Sequence, residues 1–264
     1  MARPAVITVV SQKGGAGKST LTMQLAAGLA RVGRRVAIVD LDPQETALRW
    51  AHSADPATPF PARVTPLDGE PATLREQLRA IRKGVDHVLL DCPPSIEHAA
   101  TLAALDEADL ALVPVVPSPA DLWSTKGVER LILQVQAARQ ASARPLRAAL
   151  VPNRVVRTNL AWDVLAVMRD FSLPVLGAGL SQRNAFAQSA VIGASVYQLG
   201  RAAALICALE LEREANPATL GSWPFEIGLW VGQAATPNRM GSSSDDNEYT
   251  ARYKTRRYQR NDAN

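Results

Sequence analysis

The stretch that decides the fold is "SQKGGAGKST", residues 11–20. It follows the apolar run "AVITVV" and precedes "LTMQLAAGLARVG", in which apolar residues recur at helical spacing. A glycine-rich turn between a strand and a helix directs successive backbone N–H groups toward a phosphate. The stretch therefore predicts a phosphate-binding loop, with Lys18 reaching the terminal phosphates and the Ser19 hydroxyl reaching a magnesium ion.

This loop departs from the usual P-loop pattern, G-x-x-x-x-G-K-[ST], in two ways. Gln12 occupies the position of the first glycine. A second lysine, Lys13, stands in the same short turn, and a single phosphate site does not require it. The strand before the loop and the helix after it still favour a nucleotide site, so Lys13 calls for a separate explanation.

Strand-like and helix-like segments alternate along most of the chain. Strands are predicted at 5–10, 34–42, 86–94, 108–117 and 146–154, and helices at 18–32, 72–83, 120–142, 158–171, 183–191 and 199–214. Near-continuous apolar strands separated by helices are typical of a parallel sheet covered on both faces. The sequence therefore predicts an α/β fold with a doubly wound, mostly parallel sheet.

Acidic residues end two of the predicted strands. Asp40 and Asp42 lie in "VDLDPQ", and Asp91 lies in "VLLDCPP". Strands of a parallel sheet present their carboxyl ends at one edge, where ligands bind. Because magnesium bound to a triphosphate keeps several waters and takes few protein ligands, these carboxylates together with Ser19 predict a magnesium–nucleotide site.

Composition excludes several classes of protein. The two cysteines, Cys92 and Cys207, have no C-x-x-C spacing, so neither a disulfide framework nor a zinc or iron–sulfur site is indicated. No apolar stretch reaches the roughly 18 residues of a membrane span, and the N-terminus lacks a signal-peptide pattern. We expect a cytoplasmic protein with no membrane partner.

The C-terminal part differs in character from the rest. We expect a complete domain at 1–214 and an atypical, largely disordered extension at 215–264, because the alternation of strands and helices stops near residue 215. Residues 249–264 hold five basic residues and one acidic residue. Their net charge of +4 equals the net charge of the whole chain. The extension is either a tail that touches DNA or an appendage; the abrupt change after a complete domain favours the appendage.

The chain resembles the deviant Walker A ATPases of the ParA/MinD type, and most of all the short ParA proteins of plasmid or chromosome partition. The resemblance covers roughly residues 4–213 and rests on six motifs: "KGGAGKST", "VDLDPQ", "LLDCPPS", "VPVVPSPADLW", "VPNR" and "SQRNAFAQSA". It implies a P-loop NTPase that binds ATP and Mg²⁺ and forms a homodimer with two ATP molecules between the protomers. It also explains the second lysine, because Lys13 would reach across the interface to the partner's nucleotide.

The resemblance assigns roles to individual residues. It places Gly14, Gly15, Ala16, Gly17, Lys18, Ser19 and Thr20 on the phosphates, Asn153 and Arg154 on the adenine side, Ser19, Asp91 and Asp40 around magnesium, and Asp42 on the attacking water. Asp40 would also fix the two loop lysines. Lys13, Lys18, Asp42 and Asp40 are thus the expected catalytic residues.

Other branches of the family fit less well. Relatives of the MinD type carry a C-terminal amphipathic helix, and "ARYKTRRYQRNDAN" has no apolar face at helical spacing. Relatives similar to nitrogenase reductase need cysteines for a cluster, and Cys92 and Cys207 do not provide them. The long repressor type needs an N-terminal helix-turn-helix, for which a motif that begins at residue 13 leaves no room.

Short ParA proteins bind nonspecific DNA as ATP dimers, and a ParB-like centromere-binding protein stimulates their hydrolysis. By resemblance we expect a nucleoid-associated ATP state and DNA contacts from Arg154, Arg157, Arg183, Arg201 and Arg213. Two alternatives stay open: a ParA-like ATPase that positions another cargo, and a nucleotide-dependent switch with little turnover. The intact Asp42 argues against the switch, whereas the sequence does not name the cargo.

Overall fold

A computed structural model describes residues 3–141, 144–156 and 158–199 of the protein. The strands of this part are β1 (Ala5–Val9), β2 (Val36–Asp40), β3 (Arg63–Pro66), β4 (His87–Asp91), β5 (Leu110–Val115) and β6 (Arg147–Pro152). The helices are α1 (Lys18–Arg31), α2 (Thr46–His52), α3 (Pro71–Ile81), α4 (Ala99–Glu107), α5 (Pro119–Ala138), α6 (Asn159–Val167) and α7 (Asn184–Val191). A short 3₁₀ turn, Met168–Asp170, follows α6.

The six strands form one parallel sheet in the order β3-β2-β4-β1-β5-β6. The chain leaves β1 toward one side of the sheet and later returns to build the other side from β5 and β6. In open α/β sheets, ligands bind at the carboxyl edge where the strand order reverses in this way. The predicted α/β fold is confirmed, and the loop after β1 lies at the binding position.

Strand register brings the predicted acids together. Asp91 at the end of β4 pairs with Val9 of β1 on one side and with Asp40 of β2 on the other. Two carboxylates thus stand on neighbouring strands beside the start of the glycine-rich loop, as the sequence predicted.

Apolar side chains cover both faces of the sheet. Ile38 and Leu89 pack into a core with helices α1 and α2, whereas the next residues, Val39 and Leu90, pack on the opposite face with helix α3. Successive side chains of a strand point to opposite faces, so strands buried on both sides must be apolar throughout. Helix α5 buries Ile132 in a third cluster with β5 and β6.

Three elements were absent from the sequence prediction: α2, β3 and α4. The strand β3 is an edge strand of four residues that is half exposed, so it lacks the continuous apolar run of the central strands. Helix α2 has only seven residues. Helix α4 buries residues around most of its circumference, which removes the amphipathic pattern used to recognise helices.

Part of the prediction lies outside the described residues. Residues 196–199 are helical. The rest of the helix predicted at 199–214 and the extension predicted at 215–264 lie outside the described residues. The chain divides into two compact units, of which the first comprises residues up to Gln182 and Ser189–Tyr197. No helix within the described residues is long and apolar enough to cross a membrane.

Candidate nucleotide-binding site

The glycine-rich loop joins the end of β1 to the first residue of α1. Gly15 and Gly17 both have positive φ, 78° and 86°, and Gly17 is the N-cap of α1 without a capping side chain. A Cβ atom at Gly17 would also overlap the Asn153 amide. The helix therefore begins at the carboxyl edge of the sheet without a capping side chain, and the N-terminus of such a helix is suited to an anion.

Asn153 and Arg154 hold this loop from the β6 side. The buried Asn153 amide donates from Nδ2 to the Ala16 carbonyl at 2.7 Å. Arg154 has a left-handed φ of 52° and donates from Nη1 to the Gly15 carbonyl at 3.2 Å. Both residues thus contact the phosphate loop itself, and their expected contact with adenine stays a prediction.

Lys18 is buried at the base of the loop. Its Nζ donates to the Ser11 Oγ at 3.3 Å. Burial lowers the pKa of Lys18, while the carboxylates of Asp91 and Asp42 act in the opposite direction. A buried ammonium with one hydroxyl partner retains donors for an anionic ligand, which is the function predicted for Lys18.

Lys13 lies in a different environment from Lys18. Its side chain is 45% exposed, and its Nζ donates to Asp121 Oδ2 at 3.1 Å. Asp121 lies in the first turn of α5 and also accepts a hydrogen bond from the Ser118 hydroxyl. The two lysines of one loop therefore differ: Lys18 is turned inward, and Lys13 lies at the surface.

Asp91 is fully buried and only partly satisfied. Its Oδ1 accepts from the Thr22 hydroxyl at 3.2 Å, whereas its Oδ2 is buried without a hydrogen-bond partner among the described residues. Burial raises the pKa of Asp91 to about 7, although the nearby Ser19 and Lys18 oppose the shift. An unsatisfied buried oxygen is costly, and a bound cation or its water would satisfy it.

These donors fit magnesium held jointly by the protein and a nucleotide. The residues that would hold it are Ser19 and, through water, Asp91. Within the described ranges no three His, Cys, Asp or Glu side chains are grouped to hold a metal by themselves. Phosphate oxygens would have to complete the coordination shell, as P-loop sites require.

The burial of Asp91 predicts how stability depends on pH. Its pKa of about 7 in the folded protein exceeds its ordinary 3.8, so the stability that this group contributes is complete below about pH 4 and is lost as the pH rises through about 7. The unfolding free energy of nucleotide-free protein should fall by about 2–3 kcal/mol from about pH 5 to about pH 8. Denaturant titrations without magnesium measure this fall. Asp91→Asn should largely remove it, and an equal fall in that variant would assign the titration to another group.

Asp40 is buried at the end of β2, where the loop that leads to α2 begins. Its two oxygens accept backbone N–H bonds from Asp42 at 3.1 Å and Leu48 at 3.0 Å. Burial raises the pKa of Asp40, and these bonds act in the opposite direction. The structure thus differs from the expectation that Asp40 fixes the loop lysines: Lys13 contacts Asp121 and Lys18 contacts Ser11. A place for Asp40 in the outer metal shell stays a prediction.

Asp42 is half-buried at the same edge. Its Oδ1 accepts the Gln44 N–H at 2.9 Å, which leaves Oδ2 for another partner. Glu45, with a φ of 50°, ends the turn and occupies the N-cap position of α2. A carboxylate fixed by one oxygen beside Lys18 can orient a water, which is the role expected for Asp42.

The residues expected to bind DNA are mostly outside the described part of the chain. Arg157, Arg201 and Arg213 lie there. Arg183 is described and partly exposed, and Arg154 contacts the phosphate loop as stated above. DNA contacts by these residues stay predictions.

Sequence reasoning missed three residues of the site. Ser11 bonds Lys18, Thr22 bonds Asp91, and Asp121 bonds Lys13. Asp121 lies within the motif "VPVVPSPADLW", which supported the family resemblance without any residue in it being given a role. Ser11 lies just before the motif "KGGAGKST", and Thr22 lies about one turn into α1. These positions alone could have suggested both residues as members of the site.

Comparison with known proteins identifies the family of the chain. Residues 7–196 match the family described as the CobQ/CobB/MinD/ParA nucleotide-binding domain. The maintenance of carboxysome distribution protein A of Halothiobacillus neapolitanus is 34% identical over 196 residues, 74% of this chain and 87% of that protein. The chromosome-partitioning ATPase Soj of Thermus thermophilus is 38% identical over 192 residues, 62% of this chain and 75% of that protein.

Solved structures agree on the fold. A Cyanothece McdA–ATP complex aligns with a TM-score of 0.60 at 17% identity, covering 76% of this chain and 92% of that one. The cell division ATPase MinD of Pyrococcus furiosus aligns with a TM-score of 0.55 at 20% identity, covering 73% and 89%. With the phosphate loop and the acidic strand ends in place, the family match shows that the chain belongs to the CobQ/CobB/MinD/ParA family of nucleotide-binding proteins, whose ParA and Soj members are partition ATPases.

Proposed function

We propose that the protein is a DNA-partition ATPase that dimerises around ATP and Mg²⁺, binds nonspecific DNA as a dimer, and is reset by hydrolysis that a ParB-like partner stimulates. The observation that carries the proposal is the difference in position between the two loop lysines. Lys18 is buried beside Asp91 and serves its own nucleotide, whereas Lys13 lies at the surface, 45% exposed. A cation at that position can act on a nucleotide held by a second protomer, as an arginine finger does.

The surface around Lys13 supports self-association. Trp123, two residues from Asp121 in the first turns of α5, is 76% exposed. Exposed tryptophans are enriched at protein interfaces because they bury a large apolar area. A second copy that covers this face would bury Trp123 beside the exchanged lysine.

DNA binding is the part of the proposal that a truncation tests best. Dimerisation doubles each basic patch, so several phosphates can be neutralised together and affinity should fall steeply with salt. The basic tail at 249–264 needs no dimer to assemble its charges. If the body carries the function, removal of residues 215–264 should leave ATP-dependent DNA binding within about threefold of the full-length protein, because binding of this kind depends on the number of phosphate contacts.

The measurement is fluorescence anisotropy of labelled nonspecific duplex DNA. Full-length and truncated proteins are compared with ATP and Mg²⁺ and without nucleotide, from about 50 mM to about 500 mM salt, over which phosphate contacts weaken strongly. The nucleotide-free binding should disappear with the tail. Loss of the ATP-dependent component on truncation would make the tail the DNA-binding element.

A second candidate keeps the ATPase and changes the cargo. It is supported by the similarity to the carboxysome distribution protein, which covers more of this chain than the Soj similarity does. Both candidates share the ATP dimer, so the partner separates them. An adjacent gene for a small centromere-binding protein, and acceleration of hydrolysis by that protein together with its DNA site, favour partition; acceleration by a protein without a DNA site favours positioning of another cargo.

A further inference from the structure

The ion pair between Lys13 and Asp121 lies within one protomer. The Asp121 side chain is only 11% exposed, and its Oδ2 accepts from both Lys13 and the Ser118 hydroxyl. The carboxylate is therefore held by its own helix and keeps one orientation. While this bond is made, the Lys13 ammonium is held against α5 of its own protomer.

A chain of hydrogen bonds connects this pair to the phosphate-binding lysine. Lys18 donates to Ser11 Oγ at 3.3 Å, and the same hydroxyl donates to the Lys13 carbonyl at 3.0 Å. Ser11 is buried, so its hydroxyl has few alternative partners. A phosphate that draws Lys18 away from Ser11 would break the bond that orients the Ser11 hydroxyl toward the Lys13 carbonyl.

We infer that Asp121 is a positioning residue that retains Lys13 in its own protomer without nucleotide and thereby opposes dimerisation. The inference rests on the proposed ATP dimer and adds to it a control on when Lys13 is released toward the partner's nucleotide. Nucleotide binding at Lys18 loosens the loop through Ser11, and Lys13 then exchanges Asp121 for the partner's phosphates. Each dimer requires two such exchanges, so a change in the strength of the ion pair acts twice on the dimerisation constant.

Whether Asp121 retains Lys13 can be measured without an ATPase assay, from the chemical reactivity of the Lys13 side chain. Nucleotide-free protein is pulsed with acetic anhydride, and acetylation of individual lysines is followed by mass spectrometry. Lys126 is an internal reference, because it is exposed to a similar extent, 48%, and also forms an ion pair, with Glu129 at 3.0 Å. In Asp121→Asn, acetylation of Lys13 relative to Lys126 should rise about twofold to fivefold, as expected for loss of a partly exposed ion pair.

Dimerisation is then measured by sedimentation with ATP and Mg²⁺. Asp121→Asn should lower the dimer dissociation constant about fourfold to 25-fold, the square of the effect on one ion pair. Glu76→Gln removes an exposed carboxylate from α3 and should leave both readouts unchanged. Asp121→Ser, which retains an acceptor for Ser118, replaces the asparagine variant if that variant does not fold.

Faster acetylation of Lys13 together with tighter dimerisation supports the inference. A wild-type protein that dimerises with ATP, beside an Asp121→Asn variant that dimerises equally or more weakly, overturns the inference and leaves the proposed function in place. Absence of an ATP dimer in every protein contradicts the proposed function itself and removes the role of Asp121 with it. Unchanged acetylation of Lys13 shows that Asp121 does not retain it.

Discussion

Replacement of Asp42 by alanine should reduce ATP turnover about 100-fold while ATP binding and dimerisation persist, because the loss of a group that positions the attacking water costs several kcal/mol of barrier. Asp42 is half-buried at the carboxyl edge of the sheet, and its Oδ1 is committed to the Gln44 N–H. Its second oxygen is the group that can orient the water. Phosphate release at saturating ATP, measured with the stimulating partner where it is known, tests this.

Asp55 provides a matched control for the turn that Asp42 forms. Its Oδ1 accepts the Ala57 N–H at 2.8 Å, in the same arrangement as the bond from Gln44 to Asp42 at 2.9 Å. Asp55→Ala should leave turnover unchanged. Turnover near the wild-type rate in Asp42→Ala would show that Asp42 only shapes its turn, and negligible turnover in the wild type would favour the nucleotide-dependent switch.

Replacement of Lys18 by alanine should weaken ATP binding about 100-fold, which corresponds to about 2.7 kcal/mol. Two causes act together: the phosphates lose a buried charged donor, and the nearby Asp91 loses the cation that opposes its high pKa. Isothermal titration with ATP and Mg²⁺ measures the affinity, and a thermal melt confirms folding.

The second loop lysine is the control for this experiment. Lys13 contacts Asp121 and lies at the surface, so Lys13→Ala should bind ATP within about threefold of the wild type, as for loss of a surface ion pair. Equal losses of affinity in the two variants would contradict the separate roles assigned to them.

The fold and the phosphate loop could be predicted because their signals are local. Apolar strands such as β2 and β4 are buried on both faces, and the loop has glycines where φ must be positive. The edge strand β3 and the buried helix α4 lacked such periodicity and were missed. Those elements depend on what packs against them, which the chain's local pattern does not contain.

The site shows the same limit. The strand ends predicted that Asp40 and Asp91 would be neighbours, because parallel strands end at one edge. The sequence did not predict that Asp40 would bond two backbone amides, nor that Asn153 would brace the Ala16 carbonyl. Hydrogen bonds between residues 137 positions apart, as for Asn153 and Ala16, follow only from the assembled sheet.

The central claim is that Lys13 acts across an ATP-dependent dimer, and light scattering tests it most directly. Wild type and Lys13→Ala are compared without nucleotide and with ATP and Mg²⁺, each also in the Asp42→Ala background so that hydrolysis does not deplete the dimer. Wild-type protein should change from 28.3 kDa to twice that mass only with ATP, while Lys13→Ala binds ATP and stays monomeric. A Lys13→Ala variant that dimerises as fully as the wild type, or a wild type that stays monomeric with ATP bound, would contradict the account.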